Sequence, residues 1–183
     1  RASRPNSKPE LVLKTLKLEP GQRVADIGTG GGYFSFLFSN KVGKNGMVYA
    51  VDINPQFLNF VKNECINNGI ENLKTVHSNE ILEIIPRNNL DLIFLRNVYH
   101  HIAGRVIYFK RISEILKKNG QLVIVDYNSN GNFSFHKFFG HYVPKERIIQ
   151  ELSKAGYQLY QSHDFLPEQS FLIFKKIQRR TQN

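Results

Sequence analysis

The sequence predicts a doubly wound α/β fold, and three observations carry that reading. Val24 to Ile27 reads as the end of a buried strand, enters a turn containing Gly28, Gly30, Gly31 and Gly32, and leaves it in the apolar helix start Tyr33 to Phe38. A second apolar stretch, Met47 to Val51, ends in an acid, Asp52, roughly 20 residues past the turn. Beyond it, strand-like and helix-like segments alternate, the pattern of a parallel sheet covered by helices on both faces. A chain of 183 residues suits one domain with one sizeable core, and no repeat or linker divides it, so 1–183 is read as a single domain.

The elements follow in order. Pro9 to Leu18 reads as a helix with Leu11, Val12, Leu16 and Leu18 as its apolar positions, and Glu19-Pro20-Gly21 turns the chain into the first strand. Lys44-Asn45-Gly46 is a turn before the second strand. Asn54 caps a helix that has Pro55 at its first position, runs to Asn68 and is stopped by Gly69. Leu73 to His77 is a short third strand, and Leu90 to Leu95 a fourth, nearly all apolar as a strand covered on both faces should be. Arg105 to Lys118 reads as a helix ended by Asn119-Gly120, with Ile112, Ile115 and Leu116 inward, and Gln121 to Val125 as a fifth strand. Pro144 to Ala155 is a helix stopped by Gly156; Tyr157 to Ser162 and Phe171 to Lys175 form an antiparallel pair across Leu166 to Gln169.

Composition narrows the function classes. No run of 18 apolar residues exists, so no helix is expected to span a membrane. No signal-peptide pattern opens the chain, although its start at Arg1 reads as trimmed. The single cysteine, Cys65, permits neither an internal disulfide nor a cysteine metal site, which predicts a reducing, cytoplasmic setting. The net charge of +10 is weighted to both ends, Arg1, Arg4, Lys8, Lys14, Lys17 and Arg23 at one, Lys175, Lys176, Arg179 and Arg180 at the other. Such a bias suits nucleic acid, an anionic membrane surface or an acidic substrate, and serves equally as a solvated basic surface.

The glycine turn is a cradle for a nucleotide-like ligand, and its details choose between two kinds. The dinucleotide fingerprint requires Gly at its first, third and sixth positions, the last for close packing of helix on strand. Here Gly28 and Gly30 fit, but Tyr33 occupies the sixth place. Asp26, just before the turn, suits a cationic ligand better than a pyrophosphate. S-adenosylmethionine (SAM) carries an ammonium and a sulfonium and no phosphate. Asp52 stands at the spacing from which an acid meets ribose hydroxyls.

With these residues the chain resembles the class I SAM-dependent methyltransferases. The resemblance covers almost all of it: the glycine motif, Tyr49-Ala50-Val51-Asp52, Asp91 to Leu95, Leu116 to Asp126 and the closing strand pair. Leu95-Arg96-Asn97-Val98 is similar to the segment after the fourth strand in the ubiquinone/menaquinone-biosynthesis group, whereas Tyr99-His100-His101-Ile102 looks like the broader small-molecule branch. The resemblance implies a Rossmann-like seven-stranded sheet whose last strand is antiparallel. It also implies that Asp26 and the backbone of Gly28, Gly30 and Gly32 hold the methionine part of SAM, that Asp52 binds the ribose, and that Ile53 packs on the adenine. Asn79 stands where the family commonly has an acid for the adenine amine, and its carbonyl can accept the same bond. Asn97 would face the cofactor near the transferred methyl.

The SAM methyl is activated by its sulfonium, so the enzyme aligns the acceptor, excludes water and removes a proton where one leaves. Methylation of a pyrimidine carbon through a cysteine adduct is set aside because Cys65 lies mid-helix on the wrong side of the cofactor, and arsenic methylation because it needs several thiols. Exocyclic-amine enzymes carry Pro-Pro-aromatic after the fourth strand, where Arg96-Asn97-Val98-Tyr99 stands. Asp126 is alone after the fifth strand, so no metal is expected. His100, His101, His136 and His141 are candidate bases, each of which could equally be a surface or capping histidine; His100 and His141 come first. Residues 127–143, with Phe133, Phe135, Phe138 and Phe139, read as an apolar lid or as a connection that finishes the core. Tyr99, Phe135, His136 and Phe138 are the candidate acceptor-lining residues. The sequence thus predicts methyl transfer from SAM to a small, partly apolar acceptor, quinone-like or a lipid precursor, met at a membrane surface. An RNA methyltransferase and a non-catalytic SAM-binding protein are the alternatives.

Overall fold

The computed structural model describes residues 7–128 and 142–178. Seven strands form one sheet: β1 (Arg23–Ile27), β2 (Met47–Asp52), β3 (Leu73–His77), β4 (Leu90–Arg96), β5 (Leu116–Tyr127), β6 (Tyr157–His163) and β7 (Gln169–Lys176). Their order is β3-β2-β1-β4-β5-β7-β6. β1 to β5 run parallel, while β7 lies antiparallel between β5 and β6. The doubly wound sheet with an antiparallel C-terminal strand is therefore the fold the sequence predicts. The strand order reverses between β1 and β4, the switch point where open α/β sheets bind ligands beyond the carboxyl ends of their strands.

The helices are α1 (Pro9–Leu16), α2 (Tyr33–Val42), α3 (Pro55–Asn67), the one-turn α4 (Ile81–Ile84), α5 (Arg105–Ile112) and α6 (Lys145–Lys154). They complete an apolar core on each face of the sheet. On one face Phe34 and Phe38 of α2 and Val61 of α3 pack with Val24, Val48 and Phe94. On the other, Phe109 and Ile112 of α5 and Ile148 and Leu152 of α6 pack with Ile93, Leu95 and Ile124. The β4 run Leu92 to Leu95 is buried throughout, as a central strand requires. Asn54 caps α3 by accepting a hydrogen bond from the Gln56 N–H at 2.9 Å, with Pro55 at the first helical position.

One segment departs from its sequence reading. The helix expected over Arg105–Lys118 stops at Ile112, and Leu116 already belongs to β5, paired with Leu90. The carbonyls of Glu114 and Ile115 accept from the N–H groups of Asn88, Asn89 and Leu90, which a continuing helix would forbid. Lys117 to Gly120 then bulge out before the ladder resumes at Leu92 with Gln121. A Cβ at Gly120 would lie 2.6 Å from Leu116 and 3.0 Å from the Leu90 carbonyl, so this glycine serves the bulge and not a helix end. Ile112, Ile115 and Leu116 are buried, as the helical reading also expected, and their spacing alone did not separate the two.

Candidate functional site

The glycine turn hangs on the end of β2. The N–H groups of Gly28 and Thr29 both donate to the Val51 carbonyl, at 2.8 and 3.1 Å. Gly28, Gly30 and Gly32 all have positive φ, 76°, 53° and 78°, which glycine adopts without strain. Their surroundings divide them. A Cβ at Gly28 would meet Val98 at 2.1 Å, and one at Gly32 would meet Val61 at 2.8 Å and Phe36 at 2.9 Å. These two glycines let the loop after β4 and the helix α3 close on the turn. A Cβ at Gly30 or Gly31 would meet nothing within 4 Å, so the open side of the cradle is there.

Two carboxylates face the turn in different environments. Asp52, buried at the end of β2, accepts from the Gly30 N–H on Oδ2 and the Asn54 N–H on Oδ1, both at 2.9 Å. Each oxygen retains a lone pair for a hydroxyl donor. Asp26 is buried on β1 and accepts from Ser35 Oγ at 2.7 Å, and Ser35 Oγ in turn lies 2.8 Å from Thr29 Oγ1. Burial pushes the Asp26 carboxyl up to about 6, against the lowering effect of these hydrogen bonds and helped by the charge on Asp52. A buried carboxylate held off its ordinary range by desolvation gains from an arriving cation. Asp26, Asp52 and the open backbone at Gly30 therefore fit an ammonium-bearing nucleoside such as SAM.

The neighbours follow the same outline. Ile53 is 74% exposed beside Asp52, a large apolar side chain open to solvent next to the cradle. Asn79 is exposed, and its N–H approaches His77 Nδ1 at 3.4 Å while His77 Nε2 lies 3.2 Å from the Ile53 carbonyl. His77 thus ties the loop after β3 to the one after β2, a role the sequence analysis did not find. Asn97 has a positive φ of 57° just past β4, donates its N–H to the Val125 carbonyl at 2.8 Å, and accepts on Oδ1 from Gln169 Nε2.

His100 and Asp126 come together. Asp126 Oδ2 accepts from the His100 backbone N–H at 3.0 Å, and Oδ1 lies 2.8 Å from His100 Nδ1, with both side chains buried. Asp126 had read as an isolated acid; it is the partner of His100, one of the two foremost candidate bases. His101 is exposed, its ring 4.0 Å from that of His100. Tyr99, expected at the acceptor, is instead fully buried in the core. Its ring stacks on Phe109 at 5.3 Å, and its hydroxyl donates to Glu151 Oε2 at 2.7 Å. Glu151 also receives Arg105 through two bonds of 2.6 and 3.1 Å, and Arg147 at 2.9 Å. These donors hold its carboxyl down to about 2. Tyr99 is spent on packing and on this clamp between the β4 loop and α6. His141, His136, Phe135 and Phe138, with Phe133 and Phe139, lie outside the described residues.

Arg96, Gln169 and Ser35 were also missed. Ser35 interrupts an otherwise apolar helix start, and Arg96 ends the apolar run Leu92 to Leu95; each polar residue in such a run was the signal that could have found it. Gln169 carried none, because its partners lie 72 and 73 residues away. No helix among the described residues is long and apolar enough to cross a membrane.

Comparison with known proteins agrees with this geometry. A family profile described as "Methyltransferase domain" matches residues 18–167. The chain is 22% identical over 160 residues to a demethylmenaquinone methyltransferase of Geobacillus kaustophilus, covering 87% of this chain and 67% of the relative. It is 30% identical over 155 residues to the ubiquinone/menaquinone biosynthesis C-methyltransferase UbiE of Vibrio campbellii, covering 84% of this chain and 52% of the relative. The chain thus spans about half to two thirds of the length of these curated relatives. Among solved structures, a SAM-dependent methyltransferase from Aquifex aeolicus superposes with a TM-score of 0.79 at 24% identity, covering 93% of this chain and 90% of that one. The chain belongs to the methyltransferase-domain family, in the class I, SAM-dependent branch that it shares with the ubiquinone/menaquinone-biosynthesis enzymes.

Proposed function

We propose that the chain methylates a small hydroxylated ring of quinone type, with His100 as the proton acceptor. The observation that carries this reading is the buried His100–Asp126 pair, reached from the cradle through Val98, which rests on Gly28. The names of the relatives, at low identity, support a quinone-like acceptor.

SAM, once bound, supplies an electrophilic methyl group. Asp26 would attract its ammonium, Asp52 would accept from the ribose hydroxyls, Ile53 would cover the adenine, and Asn79 and Asn97 would offer polar contacts. With Nδ1–H donated to Asp126, His100 takes a proton at Nε2 from the acceptor hydroxyl, and the Asp126 carboxylate stabilises the imidazolium that forms. The same carboxylate fixes the ring orientation through Nδ1 and holds the loop by accepting from the His100 backbone N–H. Loss of that proton leaves an electron-rich ring for in-line attack.

The test is label transfer from SAM to 1,4-naphthoquinol, with bulk RNA in parallel. Wild type should label the quinol, and His100→Gln and Asp126→Asn should each lose about 100-fold or more in turnover with SAM affinity kept. RNA labelling alone would overturn the small-molecule reading. SAM binding with no labelling of either would leave a non-catalytic binder.

A further inference from the structure

We propose that Arg96 binds the methyl acceptor, taking an anionic oxygen, phenolate or carboxylate, on its guanidinium fork. This rests on the reading that the acceptor sits beyond the carboxyl ends of β4 and β5.

Arg96 is the last residue of β4, immediately before Asn97, and is half-buried. Its guanidinium carbon lies 5.1 Å from the centroid of the Phe34 ring. Nη1 donates to the Ser7 carbonyl at 3.1 Å and Nη2 to Gln169 Oε1 at 2.6 Å. A guanidinium has five N–H donors, so among the described residues Nε–H and one N–H on each terminal nitrogen remain. Among the described residues the charge has no counter-ion. All 15 acidic side chains lie among the described residues, and the ion pairs there join Arg87, His100, Arg105, Lys117 and Arg147 to acids, never Arg96. Among the described residues the titratable groups facing it are the phenols of Tyr33 and Tyr127. Burial lowers the guanidinium to about 10, so it stays cationic at neutral pH.

A desolvated cation without a carboxylate is costly to keep, and a planar anion recovers that cost through paired, charge-assisted hydrogen bonds. The location suits the acceptor. Tyr33 opens α2 directly after the glycine turn, and Val98, two residues past Arg96, rests on Gly28. An oxygen held by Arg96 would leave the rest of the ring beside the cradle. Phenolate binding would also complement proton removal by His100, since the charge left on the acceptor would lie against a fixed cation.

The full chain saturated with S-adenosylhomocysteine is titrated with three probes: 1-hydroxy-2-naphthoate, the neutral 1-naphthol, and 4-nitrophenol, whose absorbance reports its ionisation. Wild type should bind the naphthoate at least about tenfold tighter than the naphthol, or raise the nitrophenolate band on binding, or both. The naphthoate effect alone assigns a carboxylate, and the nitrophenolate effect a phenolate. Arg96→Met should reduce either effect to less than about twofold while leaving S-adenosylhomocysteine affinity unchanged. Arg96→Lys, which keeps the charge but not the fork, should fall between. The wild-type spectral reading needs no variant, so misfolding of Arg96→Met leaves the test intact. Neither effect in wild type, or either one persisting in a folded Arg96→Met, overturns the proposal. Failure of S-adenosylhomocysteine to bind at all overturns the cradle as well.

Discussion

Asp26 and Asp52 sit two strands' ends apart in function, although both are acids beside one turn. The Asp26 carboxyl is raised from 3.8 to about 6 by burial, so the folded chain holds its proton more readily than the unfolded chain. The stabilising effect of that proton is fully present below about pH 4 and is lost as pH rises through 6, an effect of about 3 kcal/mol at most. Asp26→Asn should therefore be more stable than wild type near neutral pH, and the difference should vanish near pH 4; denaturant unfolding across that range reads it. The same change should weaken SAM about tenfold at neutral pH, and wild-type affinity should fall toward that of the variant as pH drops below 6. Affinity that is flat with pH in wild type would remove Asp26 from the ammonium. For Asp52, replacement by Ala should cost about 1.5–3 kcal/mol of SAM binding, measured by calorimetry. It also strips acceptors from the Gly30 and Asn54 N–H groups, so some folding stability should go with it.

Among the elements, the glycine turn separates packing from binding. Gly28→Ala places a methyl group on Val98 at a positive φ and should destabilise by about 2–4 kcal/mol in thermal unfolding. Gly30→Ala is strained but meets no neighbour; it should cost about 1–2 kcal/mol of stability and most of the SAM affinity. Equal losses of stability in the two would contradict the division. The Tyr99 clamp is tested through acid. Its donors hold Glu151 near 2, so its contribution is present above the ordinary carboxyl range and is lost as pH falls from about 4.5 toward 2. Glu151→Gln should remove that acid-dependent part, at a cost of about 2–3 kcal/mol at neutral pH. The strands were legible because their signals are local: β3 occupies the predicted Leu73–His77, and the apolar run of β4 declares a covered strand. The end of α5 was not, because only the pairing of Leu116 with Leu90 tells strand from helix there.

The whole molecule brings its site together from loops far apart in sequence, and this limits what the sequence could tell. Asp26, the glycines and Asp52 were readable because one strand, one turn and the next strand carry them at a fixed spacing. His100 with Asp126, 26 residues apart, meet only through the order of the sheet, and Tyr99 with Glu151, 52 apart, only through the packing of α6 on it, so Asp126 read as alone and Tyr99 as a pocket wall. The charge of +10 bears on the partner. Transfer to a quinol should change little between about 50 and 300 mM salt, whereas RNA as acceptor would lose activity steeply as counterion release weakens. Parallel calorimetric titrations of the full chain with SAM and with NAD at neutral pH test the cradle most directly. SAM should bind, and lose that binding in Asp52→Ala, while NAD gives no heat; binding of NAD without SAM would contradict the account at its centre.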